Sequence, residues 1–120
     1  MMNNQMPPRV MIASANPLFR EALQSLLVSQ FQPAPLEFKI ASTTTEAIQL
    51  LESWQPTLII LDYDDSQINP QKFLNQFVQG ISPGQLMLVS LHSSGAITVY
   101  ERRSLPPDEV STWLDISLNS

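Results

Sequence analysis

A chain of 120 residues, 43% hydrophobic and 14% charged, suits one folded domain with one core and excludes a disordered segment. A net charge of −5 argues against direct binding to nucleic-acid phosphates, and the absence of cysteine excludes disulfides and thiolate metal sites. The apolar runs "TLIIL" and "LMLV" are too short to span a bilayer, and "MMNNQMPP" lacks the basic and apolar regions of a signal peptide, so the expected location is cytoplasmic with no membrane contact.

Residues 1–8 are polar, end in two prolines and read as a flexible arm, leaving 9–120 as a single domain. Arg9 to Ala13 is a short apolar strand. Asn16 offers an N-cap and Pro17 a first helical residue, and Leu18, Ala22, Leu23, Leu26 and Leu27 recur at helical spacing over 17–30. Leu36 to Ala41 alternates as a half-buried strand. Thr43 and Glu46 form a capping box that opens a second helix through Ala47, Ile48, Leu51 and Trp54. Leu58 to Leu61 is apolar without alternation, as in a strand covered on both faces, and Asp62 ends it. Asn69 and Pro70 start a third helix with Phe73, Leu74, Phe77 and Val78 on its stripe. "LMLVSLH" is a fourth strand, "AITVYE" a fifth, and "SLPPDEV" opens a last helix with Val110, Trp113, Leu114 and Leu118 on one face.

Alternation of this kind implies a three-layer α/β sandwich with a mostly parallel five-stranded sheet, flavodoxin-like in type. Function in such sheets sits at the carboxyl ends of the strands, which here collect Ser14, Ala15, Asn16, Asp62, Tyr63, Asp64, Asp65 and Ser90.

"VMIASANPLFREALQSLL", "ASTTTEAIQLLESWQPTLIILD" and "LMLVS", in this order and spacing, resemble a response-regulator receiver domain over about residues 9–91. The first stretch is similar to receivers that carry a helix-turn-helix output domain. The resemblance implies a two-component signalling scaffold in which Asp62 matches the phosphoacceptor and Ser90 the phosphoryl-reading Ser/Thr. The acidic pair that would hold Mg²⁺ falls on Ser14 and Ala15, and the lysine is absent, with Arg103 aligned at its place. A hydroxyl and a methyl cannot stand in for two carboxylates around a hard cation. The expected protein is therefore a degenerate pseudo-receiver without metal, cofactor or catalytic residues. It acts through a protein surface in signalling or transcriptional regulation and is not an enzyme. The alternatives are a conventional receiver phosphorylated on Asp62 with help from Asp64 or Asp65, and a small-ligand sensor at the emptied pocket.

Only "LHSSG" separates Ser90 from Ala96, too short for a parallel crossover, so the fourth receiver helix is expected to be missing. The fifth strand then runs antiparallel in a hairpin over 86–102, which puts Arg103 at the opposite end of the sheet from Asp62. Ile97, Thr98, Val99 and Tyr100, with Arg102 and Arg103 at their end, form an expected interaction edge for a protein partner or a twofold homodimer. "DYDD" reads as a solvated loop ahead of the third helix. Trp54 and Trp113 read as core. The sole histidine, His92, has no partner for metal or triad chemistry, and "SANP" has no glycine with which to cradle a nucleotide phosphate.

Overall fold

The computed structural model describes residues 7–31, 35–80, 83–90, 97–102 and 105–119. His92, Arg103 and the "LHSSG" connection lie outside them. The elements are β1 (Arg9–Ala13), α1 (Pro17–Phe31), β2 (Glu37–Ala41), α2 (Thr44–Trp54), β3 (Leu58–Asp62), α3 (Pro70–Phe77), β4 (Gly84–Val89), β5 (Ile97–Arg102) and α4 (Pro107–Asn119). They form one sheet in the order β2-β1-β3-β4-β5. The first four strands are parallel and β5 pairs antiparallel with β4, from Val89 opposite Ile97 to Gly84 opposite Arg102. The mostly parallel receiver-like sandwich and its final hairpin are thus present. Among the described residues no helix is long and apolar enough to cross a membrane.

Local chemistry explains the starts of the helices. Thr43 caps α2 by accepting from the Glu46 N–H at 3.2 Å, while Glu46 reaches back to the Ser42 N–H at 2.8 Å. Asn69 caps α3 by accepting from the Lys72 N–H at 3.0 Å, with Pro70 at the first helical position.

The core lies on both faces of the sheet. Met11, Ala13, Ile59, Leu61, Leu86 and Leu88 meet Ala47 and Leu51 of α2 and Phe73 and Phe77 of α3. Val10, Ile12, Ile60 and Val89 meet α1 on the opposite face. This double cover is why β3 reads as an unbroken apolar run.

Three expectations about packing change. The buried face of α1 is Phe19, with Leu23 and Leu27 half-buried, whereas Leu18, Ala22 and Leu26 are exposed. Its true stripe is therefore the i, i+4, i+8 set that begins at Phe19. Val78, expected on the α3 stripe, is exposed because the helix ends at Phe77. Trp113 is not core: α4 contributes no buried residue, and Trp113 is 43% exposed. Trp54 is half-buried against the α2–α3 core, with Arg9 at 5.7 Å and Lys39 at 5.3 Å from its ring.

Arg102 closes the amino edge of the sheet, beside Gly84 and therefore at the far end from Asp62. Its guanidinium lies 4.5 Å from the Phe77 ring centroid and donates to the Phe77 carbonyl at the end of α3. Burial lowers its pKa from the ordinary value. A side chain at Gly80 would collide with this guanidinium, so the glycine leaves the space that Arg102 fills.

Phe73 is fully buried at the centre of the α2–α3 face. Phe73→Ala should cost about 3–5 kcal/mol in unfolding free energy, measured by urea denaturation.

Candidate functional site

The strand order makes the β1/β3 junction the point where the chain switches direction across the sheet, the usual position of a site in this architecture. Register brings the pieces together. Ala13 is opposite Leu61, so Ser14 follows β1 just where Asp62 ends β3, and Asp62 in turn sits opposite Val89, beside Ser90. Ser14, Asp62 and Ser90 are all buried.

Ser14 is the hub of this edge. Its backbone N–H continues the ladder to the Ala41 carbonyl at 2.9 Å. Its hydroxyl donates to Asp62 Oδ2 at 2.9 Å and lies 3.3 Å from Asp65 Oδ2. A hydroxyl has one proton, so the shorter contact takes it. The same oxygen accepts from the Asn16 N–H at 3.0 Å as the chain turns into α1. Arg20 donates to the Ser14 carbonyl at 3.3 Å and to the Ser42 hydroxyl at 3.1 Å, which ties α1 to the turn after β2.

The acidic loop after β3 leads into α3 with Tyr63, Ser66 and Gln67 exposed, but its acids Asp64 and Asp65 are half-buried and hydrogen-bonded. Asp65 Oδ2 accepts from the Ala15 N–H, and its Oδ1 accepts from the Gln67 N–H at 2.8 Å. Asp64 Oδ1 accepts from the Ser90 hydroxyl at 2.9 Å, while the Asp64 N–H donates to Asp62 Oδ1 at 3.2 Å. Asp64 and Asp65 are half-covered because the loop folds back over the sheet edge, where the ends of β1 and β4 offer donors to their carboxylates. The sequence placed Asp65 ahead of the third helix and did not reveal its contact with the Ala15 N–H. The available signal was an acid three residues beyond a strand end that faces a turn with free amides.

A cavity of about 460 Å³ opens in front of these groups, lined by Ala15, Asn16, Phe19, Asp62, Asp64 and Asp65. The donor set does not fit Mg²⁺. The carboxylates of Asp62, Asp64 and Asp65 already accept from protein O–H and N–H groups, and Ser14 and Ala15 supply no carboxylate to the opposite wall. Among the described residues no three His, Asp or Glu side chains are grouped to hold a metal ion.

No family model and no characterised protein matches the sequence. A solved structure does match the fold. It is the complex of the anti-anti-sigma factor PhyR with the anti-sigma factor NepR from Bartonella quintana, at 20% identity and a TM-score of 0.51. The match covers 94% of this chain but 48% of that chain, so the protein corresponds in length to about half of the matched one. At this identity the likeness establishes the shared fold alone.

The remaining expected site residues lie apart from this edge. Ile97, Thr98, Val99 and Tyr100 are all exposed along β5, and Arg102 is half-buried at its amino-edge end. The alternation of β5 predicted one wet face, yet Ile97 to Tyr100 are exposed on both faces, and among the described residues α3 meets the strand only at Arg102 and across the Tyr100 cavity. Tyr100 lines a second cavity of about 370 Å³ with Tyr63, Pro70, Leu74 and Leu88.

Ser14→Ala leaves the buried Asp62 carboxylate without its hydroxyl donor. It should cost about 1–3 kcal/mol in urea unfolding, whereas Ser66→Ala, an exposed change in the same loop, should lie within about 0.5 kcal/mol of the parent.

Proposed function

We propose that this chain is a pseudo-receiver: a cytoplasmic signalling domain, not an enzyme, that acts by binding another protein without being phosphorylated. The observation that carries the reading is the Ser14–Asp62 hydrogen bond. A receiver that takes up phosphate needs its acceptor aspartate free to meet a metal-held phosphoryl group. Here the acceptor position is buried and held by a hydroxyl, where the resemblance would place one of the metal-binding acids. Catalysis by positioning and charge neutralisation has nothing to work with when the cation site is lost.

Protein binding is favoured by two further observations. β5 is a sheet edge with open faces, and an exposed edge offers unpaired N–H and C=O groups to a partner strand. The matched structure is itself a complex between a regulator and its protein target, the anti-sigma factor NepR. A role in transcriptional regulation through such a contact fits both. The partner strand belongs to a second copy or to another regulator.

Intact-mass spectrometry after incubation with Mg²⁺ and a small phosphodonor tests the reading. The parent should gain no phosphoryl group, and a gain that disappears in Asp62→Asn would overturn the proposal in favour of a conventional receiver. Rebuilding the acids by Ser14→Asp with Ala15→Asp should lower stability without metal and create Mg²⁺-dependent thermal protection that the parent lacks.

Partner capture by the purified domain should survive Asp62→Ala. It should be lost with a proline at Thr98 or Val99, whichever directs its N–H to the open edge, while circular dichroism shows the domain still folded.

A further inference from the structure

Among the described residues, two apolar surfaces have no cover. The first is on the sheet. Cross-strand partners share a face, so Val99, opposite Met87, and Ile97, opposite Val89, extend the α1 side of the sheet. On that side Val10, Ile12 and Ile60 are covered by α1 through Phe19, Leu23 and Leu27. The apolar surface continues through half-buried Met87 to Val99 and Ile97, which are 53% and 57% exposed. A mostly parallel sheet is stable when helices cover both faces, and the second helix this face requires is not on it.

The second surface is α4. Val110, Trp113, Leu114 and Leu118 form one stripe, and all are exposed, from 38% at Val110 to 80% at Leu118. An isolated helix of 13 residues is marginal in water and takes its stability from packing an apolar face. α4 is thus the helix that the sheet lacks, yet it does not sit on its own sheet. Its stem gives a reason. The residue before a proline is held extended, so Pro106 and Pro107 hold Leu105 and Pro106 out of any tight turn. The helix begins abruptly after them, with the Glu109 N–H donating to the Pro106 carbonyl at 2.9 Å.

We propose that α4 is exchanged between two copies of this chain, each copy's helix covering the β4–β5 face of the other. One twofold axis then satisfies both bare surfaces twice, and the assembly closes. A helix of this length is about 20 Å long and 10 Å wide. Two such contacts, counted on both surfaces, remove on the order of 1,000 Å² from water, at the threshold for a specific interface. Trp113 is the natural anchor, a large aromatic at the centre of the stripe. The proposal is independent of the state of the Ser14–Asp62 site, and it leaves the outer edge of β5 open to a partner strand.

Engineered cysteines give a direct test, because the chain has none of its own. Full-length Met87→Cys protein is mixed with full-length Leu114→Cys protein, oxidised, and run on a non-reducing gel, while sedimentation equilibrium gives the mass of the parent. The expected results are a dimeric parent, a disulfide-linked pair in the mixture, and at least a tenfold weaker dimer in Trp113→Glu. A monomeric parent overturns the proposal. So does a double variant that links only within one chain, which would place α4 on its own sheet. A dimer that persists in Trp113→Glu but is lost with a proline in β5 also overturns it, and leaves strand-edge pairing as the interface.

Discussion

The hydroxyl of Ser14 holds the carboxyl edge of the sheet together. It sits at the end of β1, donates to the aspartate at the end of β3, and accepts from the amide that starts the turn into α1. Buried carboxylates are stable only when donors reach them, and here each donor comes from a neighbouring strand end or from the loop itself. Asp62 receives Ser14 and the Asp64 amide, Asp65 receives the Ala15 amide, and Asp64 receives Ser90. The three acids that could have made a cation site make a hydrogen-bonded seam across β1, β3 and β4.

This seam holds the carboxyl edge of the sheet while leaving a cavity open in front of it. The strand order sets the switch point between β1 and β3, and the cavity lies there. In the turn after β1 the Ser14 hydroxyl is what Asp62 meets, and Ala15 adds only a methyl to the cavity wall. The exposed strand β5 starts at this same carboxyl edge, with Ile97 opposite Val89, and runs to Arg102 at the amino edge.

Those surfaces follow from one short connection. A fourth helix between β4 and β5 would cover part of the last strands and return the chain for a parallel pairing. With six residues between the end of Ser90 and Ile97, β5 turns back antiparallel, and its end carries Arg102 to the amino edge against Phe77. The chain then emerges at the wrong end of the sheet for an ordinary last helix. α4 starts there with its apolar stripe unburied, and β5 keeps both faces open.

Much of this was legible from the residues alone. The apolar run of β3, the caps at Thr43 and Asn69, and the shortness of "LHSSG" determined the alternating fold and the antiparallel hairpin, because these are local signals tied to backbone geometry. Ser14, Ala15, Asp62 and Ser90 were placed together by the strand order that those signals imply. Tertiary structure decided what each side chain touches. The acidic loop looked solvated because no local pattern shows that Asp64 and Asp65 fold back onto Ser90 and Ala15, contacts that span 26 and 50 residues of chain. Phe19 replaced Leu18 in the core because the row Phe19, Leu23, Leu27, and not the adjacent row Leu18, Ala22, Leu26, faces the sheet, a choice that two rows of the same period leave open. Trp113 read as core because an apolar stripe at helical spacing says that a helix must be covered; it does not say that the cover lies within the same chain.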